Sequence, residues 1–259
     1  MALVLLLRGL RSRSGLAVLL SDWHPIVLYT FLYYQSGLLN RVVFPEFLDA
    51  TFWKLDVAVF GDFPGFFLHR VLGGPAANEV FHFAYFCYYL LIPLVGLLLY
   101  VRDRRVFREF AFQLSALFYF CYAVYVFLPV EGPLYLRSEF FRGEGVFERV
   151  VDFLYAEGEN PGAAFPSSHV AVALLVALWG GRQYRWLRWP LGTVFTLLCV
   201  ATVYCAFHYG VDVIAGVLLG LGAMAVMNRG LPPGPEGRRV GCVLPARTLR
   251  SGDCRPSSA

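Results

Sequence analysis

Long apolar runs alternate with short charged breaks along most of the chain, and the runs are of bilayer length. A spanning helix needs roughly 20 mostly apolar residues. Six stretches fit: 25–44, 82–101, 110–129, 167–181, 189–207 and 211–228. The fourth is short and is expected to cross by tilting or by starting below the surface. The first is the most polar, with Gln35, Asn40 and Arg41 near its end. Residues 1–20 are apolar in two pieces cut by Arg8, Arg11 and Arg13, whereas a signal peptide has an unbroken apolar core and a small-residue cleavage site. An interfacial helix is preferred there over a targeting segment. The expected fold is all-α, a polytopic six-span membrane bundle with interfacial helices. A cytoplasmic interfacial segment (1–24) precedes the membrane domain (25–228), and a basic, disordered cytoplasmic tail (229–259) follows it.

Charge orients the spans. With the N-terminus inside, 16 of the 22 Lys and Arg residues fall in the inner segments. The six left outside are Arg41, Lys54, Arg70, Arg137, Arg142 and Arg149. The positive-inside rule therefore predicts cytoplasmic termini. Two outer loops are long. In the first, Phe52, Trp53, Val57 and Phe60 recur near helical spacing, either as an amphipathic helix along the headgroups or as a buried loop helix. The second, 130–165, is acidic and Gly-rich and ends in the turn signal Glu159-Asn-Pro-Gly162.

Composition narrows the class. The chain is 58% hydrophobic and only 15% charged, with a mean hydropathy of +0.59. A soluble domain carries about 25% charged residues, so a single water-soluble globule is excluded, as are disorder, coiled coil and collagen. The net charge of +4 sits mostly in loops and tail and calls for no nucleic-acid partner. Six cysteines without a CxxC pair indicate neither a disulfide framework nor a zinc site.

Ionisable residues inside spans default to a functional reading, and two clusters stand out. Phe165-Pro-Ser-Ser-His169 opens the fourth span. Pro166 suits the first helical turn and Ser167 or Ser168 can cap it, leaving backbone N–H groups and a positive dipole end beside His169. The second cluster is Tyr204-Cys-Ala-Phe-His208-Tyr-Gly-Val-Asp212, at the junction of the fifth and sixth spans. A helix beginning there puts His208 and Asp212 on one face, where a carboxylate can fix the imidazole tautomer and leave the other nitrogen free as a nucleophile. Taken singly, each cluster has a plain alternative, a helix cap for the first and a satisfied polar pair for the second. The expected topology puts both at the same depth on the outer face, which favours a joint site.

The two clusters together resemble the type 2 phosphatidic acid phosphatase (PAP2) superfamily, within it the inositol-phosphotransferase-like branch. The matching residues are Ala164-Phe-Pro-Ser-Ser-His169, Thr202-Val-Tyr204 and His208-Tyr-Gly-Val-Asp-Val-Ile-Ala-Gly216, with Phe127-Leu-Pro-Val-Glu-Gly-Pro133 as a further element of the branch. The resemblance implies that His208 attacks phosphorus to form a phosphohistidine, that Asp212 holds its ring, and that His169 protonates the leaving alcohol. It also implies that the N–H groups of Ser167 and Ser168 bind phosphoryl oxygens, without metal or cofactor. The implied substrate is a phosphorylated lipid or polyprenyl compound, with water as acceptor for a phosphatase or an alcohol for a transferase. The chain departs from the family in lacking Lys-x6-Arg-Pro and in carrying Ala201-Thr202 where the broad motif has Ser-Arg. It also has Gly-Pro-Leu134 where the branch often has Gly-Pro-Arg. Arg137 is the first candidate to replace the missing phosphate-binding arginines, beside Tyr135, Tyr204 and His82. The rival readings are a catalytically inactive relative and a non-catalytic transporter or lipid-handling protein; against the transporter, the sequence shows no internal repeat of the kind common in that class. The tyrosines Tyr85, Tyr88, Tyr89, Tyr119, Tyr122 and Tyr125 follow helical spacing and are expected to be packing residues.

Overall fold

The computed structural model describes residues 15–158 and 160–227. Among them are ten α-helices and no strand: α1 (Gly15–Leu39), α2 (Asp49–Phe60), α3 (Pro64–Leu72), α4 (Pro75–Arg102), α5 (Arg104–Phe127), α6 (Arg137–Phe140), α7 (Val146–Gly158), α8 (Ser168–Gln183), α9 (Arg188–Tyr204) and α10 (Gly210–Met227). Residues 1–14 of the expected interfacial segment (1–24) and everything from 228 onward, with the expected basic tail, lie outside the described residues, while 15–24 form the start of α1.

Four helical segments are long and apolar enough to cross a membrane: α1, α4, α5 and Arg185–Tyr204, in which a short 3-10 turn runs into α9. Two of the six expected spans fall below that length. Helix α10 is apolar but short, and α8 has 16 residues, about 24 Å of helix against a hydrocarbon core of about 30 Å. Helix α8 can be short because it is the centre of the bundle. It packs against α4, α5, α9 and α10, and Val170, Ala171, Val172, Ala173, Leu175 and Val176 are all fully buried.

Helix bounds also shift at the entrances. Helix α1 starts at Gly15 and takes Pro25 into its interior, and α4 starts at Pro75, ahead of the expected residue 82. Helix α1 is fastened to α5 by Asp22, which accepts from Arg104 and Arg108, each at 2.9 Å. Farther along, Tyr29 pairs with Ser115 at 2.9 Å and Tyr122 donates to the Tyr29 carbonyl. Contacts that advance together along both helices mean that α1 and α5 run in the same direction.

The starts of α4, α8 and α10 gather at one end of the bundle. Two close approaches hold them there. A Cβ on Gly216 would lie 2.6 Å from the Ser167 carbonyl oxygen, so only glycine lets α10 lie this near the start of α8. Gly132 has φ +89°, and a Cβ there would meet the Phe207 carbonyl at 2.3 Å. The loop after α5 thus closes directly onto the turn before α10.

The loop expected to be acidic and Gly-rich contains a further helix, α7, whose Val151 is buried and whose Phe147 packs on Phe83 of α4 at 4.8 Å. Its ends are tied by a parallel bridge between Val130 and Ala163.

Candidate active site

His169 enters from the first turn of α8. Ser167 is the helix cap, its Oγ accepting the Val170 N–H at 3.4 Å. Pro166 therefore stands just ahead of the cap and not in the first helical turn. Ser167 also donates its own N–H to the Asp212 carbonyl at 3.2 Å, so that donor is already occupied. First-turn N–H groups have no intrahelical partner, which leaves those of Ser168 and His169 as the donors at this helix start.

His208 does not lie on a helix. It follows a tight turn in which the N–H groups of Phe207 and His208 both donate to the Thr202 carbonyl, at 3.0 and 3.1 Å. Ala206 in this turn has φ +54°, a left-handed conformation costing a non-glycine residue roughly 1–2 kcal/mol. The turn aims His208 back at α8. Helix α10 begins at Gly210, so the expected shared helical face is replaced by a fold-back. Asp212, in the first turn, reaches back to accept the Tyr209 N–H at 2.9 Å, as an acidic residue does in a capping box. Its Oδ2 also sits 3.5 Å from His208 Nδ1. That is an ion-pair separation longer than a hydrogen bond, and both groups are buried, with Asp212 at 0% and His208 at 3% exposure.

The two imidazoles meet. Their ring centroids are 5.7 Å apart and the planes cross at 63°. With Nδ1 of His208 turned to Asp212, its Nε2 is the ring nitrogen that faces away from that carboxylate. His169 stands in an aromatic recess, with Tyr85, Tyr88 and Tyr89 centroids 5.0, 4.3 and 6.4 Å away. Three tyrosines expected to serve packing therefore surround one site histidine, and the Tyr85 hydroxyl lies 3.1 Å from its Nε2.

Arg137 reaches the same turn from α6. Its guanidinium donates to the Cys205 carbonyl, pairs with Asp152 and lies 4.1 Å over the Phe207 ring. It is next to the His208 turn and already engaged there. Of the other candidates, His82 is buried, its Nδ1 bonded to the Asn78 carbonyl at 2.7 Å, and Tyr204 donates to Asn78 Oδ1 at 2.6 Å. Tyr135 is exposed. His69 is sandwiched between Phe140 and Tyr204, with centroids at 4.0 and 4.1 Å, and burial lowers its pKa from the ordinary 6.5.

The spacing of Phe52, Trp53, Val57 and Phe60 marks α2 as a helix, and what the sequence reading missed is the role of its two aspartates. Asp56, fully buried, accepts the N–H groups of Gly210 and Val211 at 2.8 and 2.9 Å, capping α10 from outside. Burial raises its pKa above the ordinary carboxylate value, and those two hydrogen bonds offset the rise only in part. Asp49 accepts from Glu131 and Gly132 and from the Tyr209 hydroxyl. The seven-residue interval from Asp49 to Asp56 puts both on one helical face, a signal present in the sequence beside the apolar stripe. Phe52 on that face packs against Phe165 at 4.7 Å, so α2 covers the site while Leu55 and Val59 are exposed.

Among the described residues no group of three His, Cys, Asp or Glu side chains is arranged to hold a metal ion. A family model described as the PAP2 superfamily matches residues 50–226, from α2 almost to the end of α10. Searches of curated proteins and of solved structures each returned no match.

Proposed function

The chain belongs to the PAP2 superfamily, and on that premise we propose that it is a membrane-embedded lipid phosphatase or phosphotransferase working through a phosphohistidine on His208. In this reading α1, α4, α5, α8, α9 and α10 are six spans, and the site opens on the extracytoplasmic side, as the distribution of basic residues favours. Phe127-Leu-Pro-Val-Glu-Gly-Pro133 favours the inositol-phosphotransferase-like branch. The observation that carries the proposal is the approach of His169 to His208, with Asp212 behind the latter.

The chemistry follows from which atoms are free. His208 Nε2 attacks phosphorus while the bond to the leaving alcohol breaks, and Asp212 stabilises the positive ring. His169 gives the leaving oxygen its proton, then takes one from the incoming water or alcohol, whose oxygen displaces His208 from phosphorus. Such proton transfer is worth about 10²–10⁴-fold. The N–H groups of Ser168 and His169 face the phosphoryl oxygens at the positive end of α8, with the Ser167 cap holding that turn. The equivalent position on α10 is filled by Asp56. Arg137 adds positive potential beside the His208 turn while bracing it. A site at this depth suits an amphiphile whose tails stay in the bilayer.

Detergent-solubilised protein given phosphatidate, lysophosphatidate or a polyprenyl diphosphate tests this by phosphate release, and phosphatidylinositol with a lipid alcohol tests transfer. Wild type is expected to turn over one member of the panel and His208→Ala none. Equal rates for the two overturn the assignment.

A further inference from the structure

We propose that Tyr85 is a positioning residue that fixes the tautomer of His169 and so selects the nitrogen that handles the proton. This rests on the phosphohistidine reading above and adds a residue to it. Tyr85 is 1% exposed. A buried phenol hydroxyl needs a hydrogen-bond partner, and this one lies 3.1 Å from His169 Nε2. Its ring is clamped by Phe207, stacked at 4.4 Å, and stands 5.0 Å from the His169 ring. Because Phe207 is adjacent to His208, one tyrosine touches the supports of both imidazoles.

An imidazole that alternates between acid and base must keep one N–H fixed and exchange the proton at its other nitrogen. With Nε2–H held on the Tyr85 oxygen, Nδ1 is the exchanging atom. In the first half-reaction Nδ1 gives its proton to the leaving oxygen as the His208–phosphorus bond forms. In the second, Nδ1 takes a proton from water or alcohol as that bond breaks. Throughout, Nε2–H stays on Tyr85, and the ring ends where it began. The groups facing His169 are Tyr85, Tyr88 and Tyr89 of α4 and His208. Tyr85 has the hydroxyl within hydrogen-bond distance of a ring nitrogen.

The test compares wild type, Tyr85→Phe, Tyr119→Phe and His208→Ala on dioctanoyl phosphatidate in micelles, with kcat and KM across pH. Tyr85→Phe keeps the ring and removes the hydroxyl. Its kcat is expected to fall about 10- to 100-fold, part of the full proton-transfer effect, with KM little changed. The alkaline limb of its kcat profile should move to lower pH, because the protonated ring has lost an acceptor. Tyr119→Phe, on the far side of α5 among Tyr29 and Tyr122, should match wild type. If His208→Ala is inactive while Tyr85→Phe keeps the wild-type kcat and pH profile, the Tyr85 role is overturned and the phosphohistidine reading stands. If His208→Ala is fully active, the underlying reading fails first. Nitrogen NMR of histidine-labelled wild type reads the tautomer without any variant or substrate. Neutral His169 is expected as Nε2–H, and an Nδ1–H tautomer overturns the proposal.

Discussion

The Asp56 carboxylate of α2 accepts the N–H of Gly210, the first residue of α10, at 2.8 Å. A peripheral helix thereby fastens the helix start that carries Asp212, with His208 in the turn just ahead of it. The geometry suits a buried carboxylate, since two backbone donors and a positive helix end meet its charge. Asp56→Ala leaves those donors unpaired and should cost about 1–2 kcal/mol, as loss of a helix cap does. Thermal unfolding should register that loss, together with a fall in turnover from a loosened His208 turn. Unchanged melting would show that α10 is capped without α2.

Asp212 tests orientation separately from folding. Asp212→Asn retains an oxygen for the Tyr209 N–H but removes the charge 3.5 Å from His208. Turnover should fall by about 10²-fold or more, with a melting temperature close to that of wild type. A large loss of stability with an intact specific rate would make Asp212 a structural cap only.

Gly216 sets the distance between α10 and α8. In Gly216→Ala the new Cβ would sit 2.6 Å from the Ser167 carbonyl, a backbone atom with little freedom to retreat. Overpacking of this kind costs about 1–3 kcal/mol, and pushing the helices apart also separates His208 from His169. Stability and turnover should fall together. A variant with wild-type values of both would show that the contact is not tight.

His69 gives a pH signature away from the chemistry. Its ring is half-buried between two aromatic faces, and its pKa in the fold is lowered from 6.5. The folded protein therefore resists a proton that the unfolded chain accepts. The stability this group contributes is complete above about 6.5 and is lost as pH falls through the lowered folded value. His69→Gln should flatten the acid side of the melting-temperature profile relative to wild type. Parallel profiles would mean that the ring takes up its proton equally well when folded.

Much of the site could be read from the chain because its chemistry lies in two short segments. Ser167 is a serine where a helix must be capped, and His208 precedes Asp212 by an interval that brings carboxylate and imidazole together. The detail of that interval was not legible, because a fold-back at the start of α10 replaces a shared helical face. Asp56 escaped notice because its partners are backbone N–H groups 154 and 155 positions away, which no local pattern encodes. The α7 helix was hidden by the glycines and acids around it, although Phe147, Val151 and Tyr155 recur every four residues. Tyr85 and Tyr88 share their spacing with packing tyrosines such as Tyr122, and only the position of α8 against α4 distinguishes them. Helix number is the other point of difference, since α8 is short by sequence length and its central burial is a tertiary fact.

The most direct measurement is chemical trapping of the enzyme–phosphoryl bond. Wild-type protein mixed with a lipid substrate radiolabelled at phosphorus and quenched in alkali should retain label as an acid-labile, base-stable phosphoramidate mapping to the peptide with His208. His208→Ala should retain none. Turnover by wild type without any such label, or equal labelling of His208→Ala, would contradict a covalent route through His208.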